Sequence, residues 1–184
     1  SYGYGSAPAS DGQAPRVKFS QYPHYDEKAK TWQGGEKLPD NPLGWSSVSA
    51  TGGHPNGPES CAIRRWTAPR SGALTVKGVV EHSSDKGDGI RLTLYSSRLG
   101  EKGSWEVHQR SASFVVACVV EQGDTIDMIV AERDNHSHDS FRLVYTVELV
   151  ENTTRAVATW DSEKDFRGPT KTPTINLQTP IVEQ

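Results

Sequence analysis

Between Ser60 and Val150 apolar residues fall at every second position in one segment after another, and turn-forming residues separate the segments. A period of two puts alternate side chains on opposite faces of an extended chain, whereas a helix needs apolar residues at i, i+3, i+4 and i+7. In GIRLTLYSS (89–97), Ile90, Leu92 and Leu94 take one face, and Arg91, Thr93 and Tyr95 the other. GALTVKGVVEH (72–82) aligns Leu74, Val76 and Val80 in the same way. GDTIDMIVAER (123–133) aligns Ile126, Met128 and Val130, and SFRLVYTVEL (140–149) aligns Phe141, Leu143, Tyr145 and Val147. β-Branched residues crowd these stretches and suit a pleated, half-buried surface. SCAIRRWT (60–67) and SWEVH (104–108) read as shorter strands. The nearly unbroken apolar run SFVVACVVE (113–121) predicts a central strand covered on both faces.

Outside this stretch the pattern fades. Residues 1–15 are rich in Gly, Ser, Ala and Pro and offer little to offset the entropy of ordering, which predicts a linker. RVKFS (16–20) alternates and suits a first edge strand, and the punctuation from Tyr22 to Pro58 predicts long loops. One short helix is expected near 161–167, capped by Asp161 or Ser162 and stopped at Gly168, followed by an extended tail over 169–184. The expectation is therefore a single domain over 16–168 with its core strands in 60–150. Its class is all-β, an antiparallel two-sheet β-sandwich of jelly-roll type with long loops.

A chain of 184 residues suits one core rather than two. A net charge of −3 provides no global field toward nucleic acid or anionic lipid. No apolar run is long enough for a membrane span, no signal peptide is evident, and the chain is expected to be a monomer. Cys61 and Cys118 lack the paired spacing of zinc or redox motifs and read as small buried hydrophobes, with a disulfide between them left open.

Candidate chemistry lies first in the loops. Trp32 and Trp45 stand in Gly-rich segments near Tyr22, His24 and Tyr25, and His54 follows Thr51-Gly52-Gly53. Indole and phenol rings stack on pyranose faces while polar groups take the hydroxyls, though the same tryptophans also suit pinning loops to a core. Trp66 reads as core rather than ligand platform, and Trp105 suits either role. Arg91, Arg133 and Arg142, with Lys77, fall in the exposed phase of their strands and would suit a sulfated or carboxylated polymer if they shared a face. Glu81, Asp127 and Glu148 fall in that phase too, which favours a solvated face with cross-strand ion pairs. Two acidic turns raise a structural calcium built from Asp85, Asp88, Asp134 and Asp139, with Asn135 nearby. The D-x-D-x-D-G loop is absent, and ordinary turn chemistry explains the same residues. His136 and His138 would need further partners to hold a transition metal. No nucleophile elbow, H-E-x-x-H or phosphate loop occurs, and the expectation is a protein without catalytic activity.

Several strings point to a family: YGYG (2–5), WQGG (32–35), LGW (43–45), ATGGHP (50–55), AIRRWTAP (62–69), GDGIR (87–91), GDTID (123–127), ERDNHSHDSF (132–141) and WDSEKDFRGP (160–169). In order and spacing the chain resembles the C-terminal β-sandwich domain of large planctomycete proteins that also carry a cytochrome c domain and two domains of unknown function. The resemblance implies a sandwich of the carbohydrate-binding-module type, exported to the periplasm or cell surface. Its partners would be a polysaccharide, sulfated or otherwise anionic, and the other domains of a larger exported protein. It assigns no site residue. Two other readings compete: a structural domain that binds no glycan, and a weak glycosidase or lyase.

Overall fold

The computed structural model describes residues 1–8 and 16–170. They form fourteen strands and no helix, in two antiparallel sheets packed face to face. In chain order the strands are β1 (Tyr2–Ser6), β2 (Lys18–Gln21), β3 (His24–Asp26), β4 (Thr31–Gln33), β5 (Ser47–Ser49), β6 (Gly52–His54) and β7 (Cys61–Thr67). They continue with β8 (Gly72–His82), β9 (Ile90–Ser96), β10 (Gly100–Val107), β11 (Arg110–Val120), β12 (Thr125–Glu132), β13 (Phe141–Glu151) and β14 (Val157–Asp161). The first sheet runs β10-β9-β12-β7-β1-β2, and the second β11-β8-β13-β6-β5-β4-β3, with β14 paired to the far half of β13.

The alternation places the core as the sequence predicts. Leu74, Val76 and Val80 of β8 meet Ile90, Leu92 and Leu94 of β9, Ile126, Met128 and Val130 of β12, and Phe141, Leu143 and Val147 of β13. Such burial is the main favourable term for the fold. The adjacent arginines of β7 point opposite ways, as alternation requires. Arg64 is buried on the inner face, where Nη2 donates to the carbonyls of Ser49 and Gly52. Arg65 turns outward, forms two hydrogen bonds to the buried Asp127 carboxylate at 2.7 and 2.8 Å, and stacks on Phe19.

The structure corrects several expectations. Tyr2–Ser6, assigned to a linker, is a strand between β7 and β2. The glycines that suggested flexibility allow close approach instead: a Cβ on Gly3 would stand 2.3 Å from the Ser20 carbonyl oxygen. Residues 9–15 of that segment, and 171–184 of the expected tail, lie outside the described residues. The long-loop region holds four short strands, β3 to β6, which extend the second sheet. Thr93 and Tyr95 are buried rather than solvated, because Val17 and Phe19 cross the outer face of the first sheet and form a small second core with Cys61, Ile63, Tyr95 and Ile129. Asp127, expected in an exposed phase, is buried by the same cover. The apolar run of β11 is an edge strand, not a central one, with Val115 71% and Val119 62% exposed. In place of a helix after Trp160, β14 ends in turns. Asp161 still caps, its carboxylate accepting from the amides of Glu163 and Lys164 at 3.0 Å, but the chain does not continue helically. Both cysteines are free thiols.

Candidate functional site

Antiparallel connections gather at one end of the sandwich the loops 55–60, 83–89 and 133–140, together with the β10–β11 turn. Five of the six histidines stand on or beside these connections: His54, His82, His108, His136 and His138. The acidic turns serve first as staples. Asp88 accepts from the Asp134 amide and from Asn135 Nδ2, while its own carbonyl accepts from Arg133 Nη1. Gly87, at φ 77°, brings its loop against Ser137, where a Cβ would stand 2.3 Å from the carbonyl oxygen. Glu132 accepts from the Gly57 amide and ties in the third loop.

These staples frame an open cleft of about 390 Å³, lined by Trp45, His54, His136, Ser137, His138 and Ser140. Trp45 is 46% exposed on its rim, with the His54 ring 6.5 Å away and tilted by 48°. The backbone at Trp45 is anchored, since its amide donates to Asn56 Oδ1, the same side chain that stands against Gly44. His54 Nδ1 lies 2.5 Å from the Pro55 carbonyl, which can only accept, so Nδ1 carries the proton and Nε2 is left as an acceptor. Burial lowers the His54 pKa, and neighbouring His136, His138 and His82 lower it further, against the opposing hydrogen bond to Pro55. The ring is therefore neutral at pH 7.

Behind the cleft lies a buried polar pair. His82 and Asp139 are both fully buried, with Nε2 and Oδ1 3.7 Å apart, and His82 Nε2 donates to the His138 carbonyl at 3.0 Å. Neither Asp139 oxygen has a hydrogen-bond partner, nor does His82 Nδ1. Burial, aided by the negative charges of Asp88 and Glu132, pushes the Asp139 pKa up to about 7. Among the described residues no three His, Cys, Asp or Glu side chains stand close enough to form a metal-binding group. Asp85 and Asp134 are exposed.

The remaining candidates divide. Trp32 is buried in β4, its Nε1 donating to the Arg167 carbonyl at 2.8 Å, with the Tyr25 ring tilted against it at 5.1 Å. Both pin the Arg167 segment, and neither lines the cleft. The arginines do not form one row. Arg91 bonds Glu106 at 2.6 Å and Arg133 lies 3.4 Å from the same carboxylate, both on the first sheet's side, whereas Arg142 sits on β13 of the second sheet. Trp66 packs edge-on against Trp160 and Trp105 against Phe114, both half-buried. His82 escaped the reading of the sequence although its signal was present: it continues the inward phase of Leu74, Val76 and Val80. His108, Ser137 and Ser140 carry no such signal, because loop packing alone brings them in.

A second depression lies on the outer face of the second sheet around Val79, Val115 and Val144, but no exposed aromatic ring borders it. Fold and cleft together define a two-sheet β-sandwich that presents an aromatic-rimmed, ligand-sized opening at one loop end. No family model matches the chain, and no curated protein matches it.

Proposed function

We propose that this domain is a non-catalytic glycan-binding module whose ligand is a neutral saccharide seated on Trp45. The observation that carries the reading is an indole nearly half exposed on the rim of a cleft otherwise lined by hydroxyls and imidazoles. An indole face covers the apolar side of a pyranose, and His54 Nε2, Ser137 and Ser140 supply acceptors and donors for its hydroxyls. A neutral ligand is favoured over a sulfated one because the Glu132 carboxylate stands 3.5 Å from the cleft-lining His136, while Arg91 and Arg133 are engaged by Glu106. Binding rather than cleavage is favoured because no carboxylate lines the cleft among the described residues, and glycoside hydrolysis needs a pair. The resemblance to planctomycete sandwich domains adds the context of a larger, extracytoplasmic protein that such a module would tether to polysaccharide.

Affinity gel electrophoresis on neutral and sulfated polysaccharides tests the reading. Retardation on a neutral polymer, lost in Trp45→Ala and kept in Arg142→Ala, is the expected result. Equal mobility on every gel, or retardation confined to sulfated polymers and lost with Arg142, would overturn it.

A further inference from the structure

Counting β14 beside β13, the two sheets have five edge strands among the described residues, and four of them are guarded against pairing with other chains. β14 is five residues long and ends in Asp161. β3 is only three residues long, and β2 is four residues with Lys18 in it. β10 carries Glu101, Lys102 and Glu106, and its register with β9 shifts between Glu101 and Gly103. Short length, charge and bulges are the usual protections of a free edge. β11 has none of them. It pairs with β8 without interruption from Arg110↔His82 to Val120↔Gly72, and no strand covers its other side among the described residues. From Ser111 to Val120 it contains no charged residue, proline or glycine. Its outward positions include Val115 and Val119, the two most exposed of the large hydrophobic residues.

We propose that β11 is a self-association edge, at which two copies of this chain join their eight-stranded sheets through an antiparallel β11–β11 pair. The occupant follows from the symmetry of the strand itself. Cross-strand partners in an antiparallel pair share a face, so a two-fold axis must pass through a residue. Centred on Ala117, the axis sets each exposed Val115 against Val119 of the other copy. The same pairing brings Arg110 at one end of the strand toward the acidic end of its neighbour, at Glu121 and Asp124. A parallel pair would set like charges side by side. Backbone groups of β11 that now face solvent would gain partners, and the two valines would lose most of their exposure. The contact is narrower than a standard interface, so association is reversible and concentration-dependent. This replaces the expectation of a monomer, and it is independent of the glycan cleft at the loop end.

Sedimentation equilibrium over a concentration series tests the proposal. The wild type is expected to shift from monomer to dimer. Val115→Lys with Val119→Lys should remain monomeric with an unchanged melting temperature, while Val115→Lys with Val119→Glu, which sets opposite charges face to face twice, should dimerise. The register is read separately in a Cys118→Ser background. There Ala117→Cys should cross-link to its own copy under mild oxidation, and Ser113→Cys, which faces Glu121, should not. A wild type that stays monomeric up to its solubility limit overturns the proposal. So does a dimer indifferent to the paired lysines, or equal cross-linking at 113 and 117.

Discussion

Replacing Asp139 by asparagine should make the protein more stable at pH 8, although the residue is fully buried. The native carboxyl has no hydrogen-bond partner on either oxygen, and its pKa is raised from the ordinary 3.8 to about 7, first by burial and then by Asp88 and Glu132. A raised folded-state pKa means that the folded protein binds this proton more tightly than the unfolded chain. Stability therefore falls as pH rises from about 4 to about 7 and is flat above. The full displacement corresponds to roughly 4 kcal/mol, of which about 2 to 3 kcal/mol is lost between pH 5 and pH 8. For a chain of this size that loss lowers the melting temperature by roughly 5 to 10 °C. Thermal and urea denaturation of both proteins at pH 4 to 8 provides the measurement. The wild type should show the slope, the Asp139→Asn variant should lack it, and the two should converge near pH 4. A variant less stable than wild type at pH 8 would refute the reasoning, since the carboxylate would then be in use. A cation held by Asp139 would produce that outcome, and it would show as stabilisation of the wild type, but not of the variant, by added calcium.

Trp32→Ala should cost about 3 to 5 kcal/mol in urea unfolding, because it empties a buried site and removes the hydrogen bond to Arg167, whereas Trp45→Ala should change stability by less than about 0.5 kcal/mol. Asp127→Ala should cost about 3 to 5 kcal/mol by leaving the Arg65 guanidinium unpaired under Phe19; a double-mutant cycle with Arg65→Ala should return a coupling well above that of an exposed pair such as Lys30–Glu27. Burial pushes the Cys61 thiol up to about 11, so in native protein at pH 8 a thiol reagent should modify the half-buried Cys118 first, with Cys61 reacting only after unfolding. Peptide mass spectrometry of a labelling time course would show the order, and early labelling of Cys61 would count against the packing of the outer core.

The strands of the sandwich were legible wherever one face meets the core and the other meets water. β8, β9, β12 and β13 fall where their period of two places them. β11 misled because an apolar run has the same appearance whether a second layer covers it or water does, and only sheet order tells the two apart. The opposite error arose at Tyr95, where a cover contributed by Val17 and Phe19 turns an outward position into a buried one. Short strands such as β5 and β6 hold too few residues to show any period, and β1 hid behind its glycines. At the cleft, Trp45 and His54 were legible as loop aromatics beside glycines. Their separation from Trp32 and Tyr25 was not, because burial of one indole and exposure of the other depend on which strand each loop reaches.

The pairing of β1 with β7 sets an order of events. Gly3 aligns with Ile63 and with Gln21 on its other side, so β1 can form only a two-stranded ribbon with β2 until β7 is available. β7 is also the strand that carries Arg64 into the core and pairs with β12. The first sheet therefore closes late, around a seam between distant parts of the chain, and such non-local closure slows folding. A version of the domain shortened past Ser6 would leave β2 with no neighbour and β7 with an open edge. Domain boundaries for expression, or fusions at this end, need to keep Tyr2–Ser6 intact and free to lie between its two partners.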